Sequence, residues 1–330
     1  MKYILIFITT ISVACTSKQQ AIPLSNNSSK QEISKTPTVS PTAKIYFLQN
    51  YPGDIFSVNP DGSHHVNLTN DGMNGNFDIS ADGNKIVFGN LAGDNWNIYT
   101  ADITASGLAN KKKVYNGKYR DEDCRFSPDA SKIVFKTNRY GIKEQNNSGV
   151  YDIVILNIAT GKLTRLTHDT AQEAWAPCFS SDGLKVAFVL RTNSKGASSD
   201  EIYMVNTDGT ELKRITKNNY DDWYPGFSAN GNLLYISKKV ASCDDDIYQI
   251  PAAALATANP ESQSTVLNIN ACDFVSDADP YGSKTNENNM VFVSTRGGTY
   301  GVYIADKSTG AVSLVLQKPR ADLLGAVLHE

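Results

Sequence analysis

Pro177–Thr216 reads PCFSSDGLKVAFVLRTNSKGASSDEIYMVNTDGTELKRIT and contains four short strand candidates set apart by turn residues. Phe179 marks the first, Val186-Ala187-Phe188 the second, Ile202 to Val205 the third and Leu212 to Ile215 the fourth. Ser181-Asp182-Gly183 and Thr207-Asp208-Gly209 are tight-turn chemistry, because Gly takes positive φ without a steric cost and Asp bonds its own backbone. A four-stranded sheet this small cannot bury both faces alone, so the stretch predicts copies of itself to stack on.

The copies are present. The second strand recurs at Lys44-Ile45-Tyr46-Phe47, Lys85-Ile86-Val87-Phe88, Lys132-Ile133-Val134-Phe135, Leu233-Leu234-Tyr235-Ile236 and Asn289-Met290-Val291-Phe292. The third recurs at Asp54-Ile55-Phe56, Asn97-Ile98-Tyr99, Asp152-Ile153-Val154, Asp246-Ile247-Tyr248 and Gly301-Val302-Tyr303. A period of roughly 40–55 residues is that of propeller blades. The fold class is therefore all-β, a six-bladed β-propeller of four-stranded antiparallel blades spanning 43–330. No first strand precedes Lys44, whereas Leu323 to His329 is left over beyond the last blade. The C-terminal strand is expected to complete blade one and close the ring, removing an exposed edge.

Composition is that of a globular protein, with 41% hydrophobic and 20% charged residues, and a net charge of −3 gives no sign of a nucleic-acid surface. The one dense basic run, Lys111-Lys112-Lys113, reads as a solvated turn between the third and fourth strands of blade two.

Residues 1–15 read as an export signal, with Lys2 ahead of an apolar run from Tyr3 to Val13 that is too short to span a bilayer. Ser12-Val13-Ala14-Cys15 resembles a bacterial lipobox, although Ser12 stands where the pattern usually has Leu. The resemblance implies a lipoprotein signal peptide ending at Cys15, with lipidation of that cysteine. Thr16 and Ser17 lack the Asp that retains such proteins at the inner membrane, so the expected location is an outer-membrane lipoprotein, periplasmic or surface-facing. Residues 16–42 are rich in Ser, Thr, Asn, Gln, Lys and Pro and read as a flexible tether.

The blade core also resembles the TolB-type six-bladed β-propeller. The pattern stands here as Phe126-Ser127-Pro128-Asp129, Ser180-Ser181-Asp182-Gly183, Asn59-Pro60-Asp61-Gly62 and Arg165-Leu166-Thr167. It covers 43–330 and implies the fold more than a function, since the motifs are turns and core strands. The family's N-terminal α/β domain has no counterpart ahead of the propeller, and no G-x-S-x-G elbow accompanies it as in the prolyl-oligopeptidase type.

In such a fold the loops from strand four to strand one, and from strand two to strand three, share one face around the channel. The first set carries Asn74, Asp121-Glu122-Asp123, Glu173 with Trp175, Asp222-Trp223-Tyr224, and Asp277 with Asp279; the second adds Arg139 and Arg296. We read Asp121, Glu122, Arg139, Glu173, Trp175, Asp222, Trp223, Tyr224, Asp277 and Arg296 as candidate partner-binding residues. Aromatics beside carboxylates at a concave mouth suit an envelope protein or peptide, or a sugar. Turn chemistry for the acids and packing between blades for the tryptophans are the competing readings. Asp121, Asp222 and Asp277 are the candidates for a Ca²⁺ site, which takes about six to eight oxygen ligands; no other cofactor is expected.

The chain has four histidines. Adjacent His64 and His65 point to opposite sides of a strand and make a poor metal pair. An oligogalacturonate-lyase-like site would need several histidines at the channel, so no catalytic set is assigned. Cys124 and Cys178 read as buried thiols on neighbouring first strands, and Cys243 and Cys272, in loops on one face of adjacent blades, as a disulfide. The resulting expectation is a monomeric, non-catalytic, lipid-anchored envelope propeller that binds a protein or peptide. The alternative is a carbohydrate-binding or lyase-like propeller.

Overall fold

Short runs of β-branched and aromatic residues between Gly, Asp and Asn turns build strands wherever the repeat places them. In a computed structural model of the chain, the structure describes residues 36–115, 119–140, 151–168, 173–191, 200–239, 245–267, 277–318 and 322–330. Blade one holds β1 (Lys44–Gln49), β2 (Asp54–Val58) and β3 (Val66–Asn67). Blade two is β4 (Asn74–Ile79), β5 (Lys85–Ala92), β6 (Asn95–Thr104) and β7 (Gly107–Lys113). Blade three is β8 (Asp121–Phe126), β9 (Lys132–Thr137), β10 (Asp152–Asn157) and β11 (Leu163–Arg165). Blade four is β12 (Glu173–Phe179), β13 (Lys185–Arg191), β14 (Asp200–Asn206) and β15 (Lys213–Arg214). Blade five is β16 (Asp222–Phe227), β17 (Leu233–Ser237), β18 (Asp246–Ile250) and β19 (Thr265–Val266), with two 3-10 turns at Ala252–Ala256 and Pro260–Gln263. Blade six is β20 (Asp277–Gly282), β21 (Asn289–Ser294), β22 (Gly301–Asp306) and β23 (Ala311–Gln317). The last strand, β24 (Leu323–His329), lies antiparallel beside β1, with Ile45 opposite Leu328 and Tyr46 opposite Val327. The sheet order β24-β1-β2-β3 closes the ring as the leftover strand predicted.

The repeat motifs hold each blade together. Ser180 donates to Asp182 at 2.6 Å while accepting from the Lys185 amide at 2.9 Å, and Ser80 and Ser127 do the same in their blades. The Ile202 amide donates to the Thr216 hydroxyl, which donates to Glu201 at 2.7 Å; Thr167 with Asp152 and Thr69 with Asp54 repeat the bridge. Cross-strand aromatic pairs sit at equal places, Phe88–Tyr99, Phe188–Tyr203 and Phe292–Tyr303 among them. Lys111 belongs to this packing. The run 111–113 lies within β7, not in a turn, and the Lys111 ammonium stands 4.8 Å from the Tyr99 ring. Residues 1–35 lie outside the described residues. At the end of the expected tether, the Thr38 carbonyl accepts from Asn289 at 2.9 Å and Val39 packs against the core of blades one and six.

The innermost strands carry one shared irregularity. Each breaks register against its neighbour, at Asn74/Phe77, Glu122/Arg125, Trp175/Cys178, Trp223/Gly226, Ala278/Tyr281 and, across β1 and β24, Phe47/Leu48. Five of these bulges hold a left-handed residue: Asp123 (φ 55°), Ala176 (47°), Tyr224 (48°), Asp279 (49°) and Gly325 (47°). The strands therefore begin before the bulge, and Asn74, Asp121, Glu173, Asp222 and Asp277 open strands where loops were expected. Inner strands also approach closely: a Cβ on Gly282 would lie 2.9 Å from the Ser228 Cα.

Candidate functional site

A bulge re-aims the chain locally, and here each of the six brings a residue to the axis. Asn76, Asp123, Ala176, Tyr224, Asp279 and Gly325, one per blade, line a central cavity of about 550 Å³. Asp123 accepts from the Ala176 amide at 3.2 Å and Asp279 from the Gly325 amide at 3.1 Å, so a bulge carboxylate clasps the next blade's bulge. Lys136 stands 3.0 Å from Asp123 and 3.3 Å from Glu122. Burial alone would lower the Lys136 pKa, but the two carboxylates outweigh it and hold it above the usual lysine range. Burial raises Asp279, against the Gly325 amide and the Arg125 charge. The aromatic groups at this end are Tyr51, which is 45% exposed and stacks on Trp96 at 5.2 Å, and Trp175, which meets Tyr224 edge-on at 5.4 Å.

Farther along the inner strands lies a second set of charges. Asp78 is buried and accepts from the Tyr281 hydroxyl at 2.5 Å, from Lys284 at 3.1 Å and from the Phe126 amide at 2.9 Å. Arg125 donates to the Phe77 carbonyl, and its guanidinium lies 5.8 Å from the Tyr281 ring centre. Burial, then the Asp78 charge, pushes the Tyr281 hydroxyl well up. Cys124 and Cys178 are both buried free thiols, as expected, and burial pushes Cys178 up to about 12. This constellation was missed in the sequence. Its one legible signal is Lys284, which follows Ser283 where the other blades place Ala81, Pro128, Ser181 and Ala229.

Of the sequence candidates, Trp175 and Tyr224 reach the cavity. The expected ring of acids at the mouth does not form. Asp121, Asp222 and Asp277 are at most 3% exposed, and each is held within its own surroundings. Arg139 grips Asp121 with contacts of 2.9 and 3.1 Å, Arg296 meets Asp277 at 2.7 Å, and Asn218 meets Asp222 at 2.7 Å. Glu122 pairs with Arg120 at 2.8 Å and Glu173 with Arg191 at 3.0 Å. Trp223 packs between blades and donates to Asp200 at 3.2 Å. Arg296 lies over Phe292, in the intrablade role that Lys111 plays in blade two. The register places each buried acid at the first position of an inner strand, opposite the end of the second strand, which explains its burial. Among the described residues no group of three His, Cys, Asp or Glu is arranged to hold a metal. Cys15, Cys243 and Cys272 lie outside the described residues.

No protein family model matches the chain. An uncharacterized protein of Agrobacterium fabrum is 28% identical over 67% of this chain and 69% of its own length. The Tol-Pal system protein TolB of Francisella tularensis is 30% identical over 51% of this chain, a match spanning 35% of the TolB chain. Among solved structures, TolB from Acinetobacter baumannii aligns with a TM-score of 0.59 at 17% identity, covering 87% of this chain and 66% of that one. Hydrazine synthase of Kuenenia stuttgartiensis aligns at 0.68 with 14% identity (88% and 47% covered), and a manganese-bound oligogalacturonate lyase at 0.53 with 13% (84% and 79%). At these identities the structural likenesses establish the fold and carry no activity across.

Proposed function

We propose that this TolB-like six-bladed β-propeller is an exported, non-catalytic binding module. In this reading it is lipid-anchored at Cys15 to the outer membrane, and it docks an envelope protein or peptide at the aromatic end of its central cavity. The observation that carries the reading is the bulge ring. It turns Tyr224 and Ala176 toward the cavity, where Tyr224 meets Trp175 and lies near Tyr51, Asp123 and Asp279. Aromatic side chains beside partly buried charges are the usual anchors of a protein contact. The Francisella relative is named as a component of the Tol-Pal system, which favours an envelope protein as the partner.

A photo-crosslinking residue at Tyr51, introduced into living cells, tests the reading. Leu184, which is 65% exposed at the other end of the strands, is the control position. The expected result is capture of one envelope protein from position 51 and none from 184, with Trp175→Ala and Tyr224→Ala together reducing capture about tenfold. Equal capture from both positions, or capture unaffected by the double substitution, would remove the basis for a site here. The same rings also suit a sugar, and binding on a glycan array that the double substitution abolishes would replace the protein partner with a carbohydrate.

A further inference from the structure

Three cations line the cavity, and two have their counter-charges. Lys136 is paired with Asp123 and Glu122, and Lys284 with Asp78. Asp78 is thereby fully engaged: Tyr281, Lys284 and the amides of Ile79 and Phe126 use both its oxygens. Arg125 is the third cation. Among the described residues no carboxylate forms an ion pair with it, and its guanidinium makes one hydrogen bond, to the Phe77 carbonyl. Burial works against its charge, yet the field of Asp78 and its neighbours keeps it protonated. With one hydrogen bond made, the guanidinium has donors to spare, and they form a planar fork that matches a carboxylate.

We propose that Arg125 is the anchor of a small-ligand site on the inner wall of this cavity, which takes a monocarboxylate with an apolar body. The body would lie against Phe126, Phe179, Trp175 and Tyr224. A cavity of about 550 Å³ accommodates a molecule of amino-acid to drug size. Lys136 and Lys284 are already matched by Asp123 and Asp78, so Arg125 alone is left to meet a ligand, and one positive charge suits a monocarboxylate better than a phosphate dianion. The ligand's body shares Trp175 and Tyr224 with the proposed docking end, and the anchor, Arg125, is the residue that separates this inference from that reading. The same carboxylate can come from a free acid or from a peptide's C-terminus.

Calorimetric titration of the full chain with 4-phenylbutyrate, its neutral amide, inorganic phosphate, and a leucyl-phenylalanine dipeptide with a free or amidated C-terminus tests this. At least one carboxylate is expected to bind about tenfold or more tightly than its amide, and Arg125→Gln to abolish that preference. A response to phenylbutyrate alone assigns a free acid; a response to the free dipeptide alone assigns a chain end; either supports the site. Phosphate binding as well as the acids, or equal affinity for acid and amide, overturns it. That comparison needs no variant and so survives a misfolded one. The ligand-free Arg125→Gln protein is expected to melt near the wild-type temperature; a large fall would make Arg125 structural and overturn the assignment.

Discussion

Asp246 opens β18 with 1% of its surface exposed and, among the described residues, one carboxylate oxygen without a hydrogen-bond partner. Burial, then the charges of Asp277 and Asp245, push its pKa from 3.8 up to about 6. The folded chain thus holds a proton that the unfolded chain releases near pH 4. Its contribution to stability is full below that pH and is lost as the pH climbs through about 6. Asp246→Asn keeps the shape without the charge. Relative to wild type it is expected to gain up to about 3 kcal/mol above pH 7 and to gain nothing at pH 4. Urea unfolding across that range reads the difference, and a gap independent of pH would show that the carboxylate is not titrating there. The threonines of the repeat act in the opposite sense. Thr216 has no exposed surface, and its hydroxyl both accepts from a strand amide and donates to a buried acid, leaving neither group unsatisfied.

At the scale of the strand, the bulge decides what the sequence discloses. The second and third strands pair with each other in unbroken register in every blade, and Val186-Ala187-Phe188 and Ile202 to Val205 were legible as strands because nothing disturbs that pairing. In the first strands a left-handed residue resets the alternation. Cys178-Phe179 could be read, whereas Glu173-Ala174-Trp175 on the far side of Ala176 looked like loop. The same reset sends Asp121 into the blade and Asp123 into the cavity, a distinction that composition alone does not make. Arg125 was invisible for a different reason: a charged residue between Cys124 and Phe126 looks solvent-facing unless the channel wall is known. The bulge is also strained. Ala176 holds φ 47° immediately before Pro177, a conformation that costs a non-glycine residue about 1–2 kcal/mol. Ala176→Gly keeps the amide bond to Asp123 and is expected to stabilise the domain by about 1 kcal/mol, a rise of about 2 °C in Tm. A fall in Tm would mean that the alanine methyl contributes more to packing than the backbone loses to strain.

At the scale of the whole molecule, stacked blades and one closing strand make the ring. Leu323, Val327 and Leu328 in β24 are at most 2% exposed. Burying such side chains contributes about 1.5–3 kcal/mol each, against a net stability of about 5–15 kcal/mol for a domain. Deleting 321–330 is therefore expected to abolish cooperative unfolding, as read by near-UV circular dichroism and a thermal melt. A truncated chain that melts like the full one would mean that the blades hold the ring without this strand. The ring architecture, six copies and a borrowed strand, was readable from the repeat because its period spans the chain. The cavity lining was not, since it depends on which residues six separate bulges bring to one axis.

The pairing of β1 with β24 also has a meaning in time. β1 is the first strand of the ring to be synthesised and β24 the last, while blades two to six each join strands that are near neighbours in sequence. A chain delivered from its N-terminus can form those five blades in turn, with the inner edge of β1 left bare throughout. A copy stalled before Leu323 displays that edge to chaperones and proteases, and a finished copy hides it. The ring therefore cannot shut until its closing strand has been made.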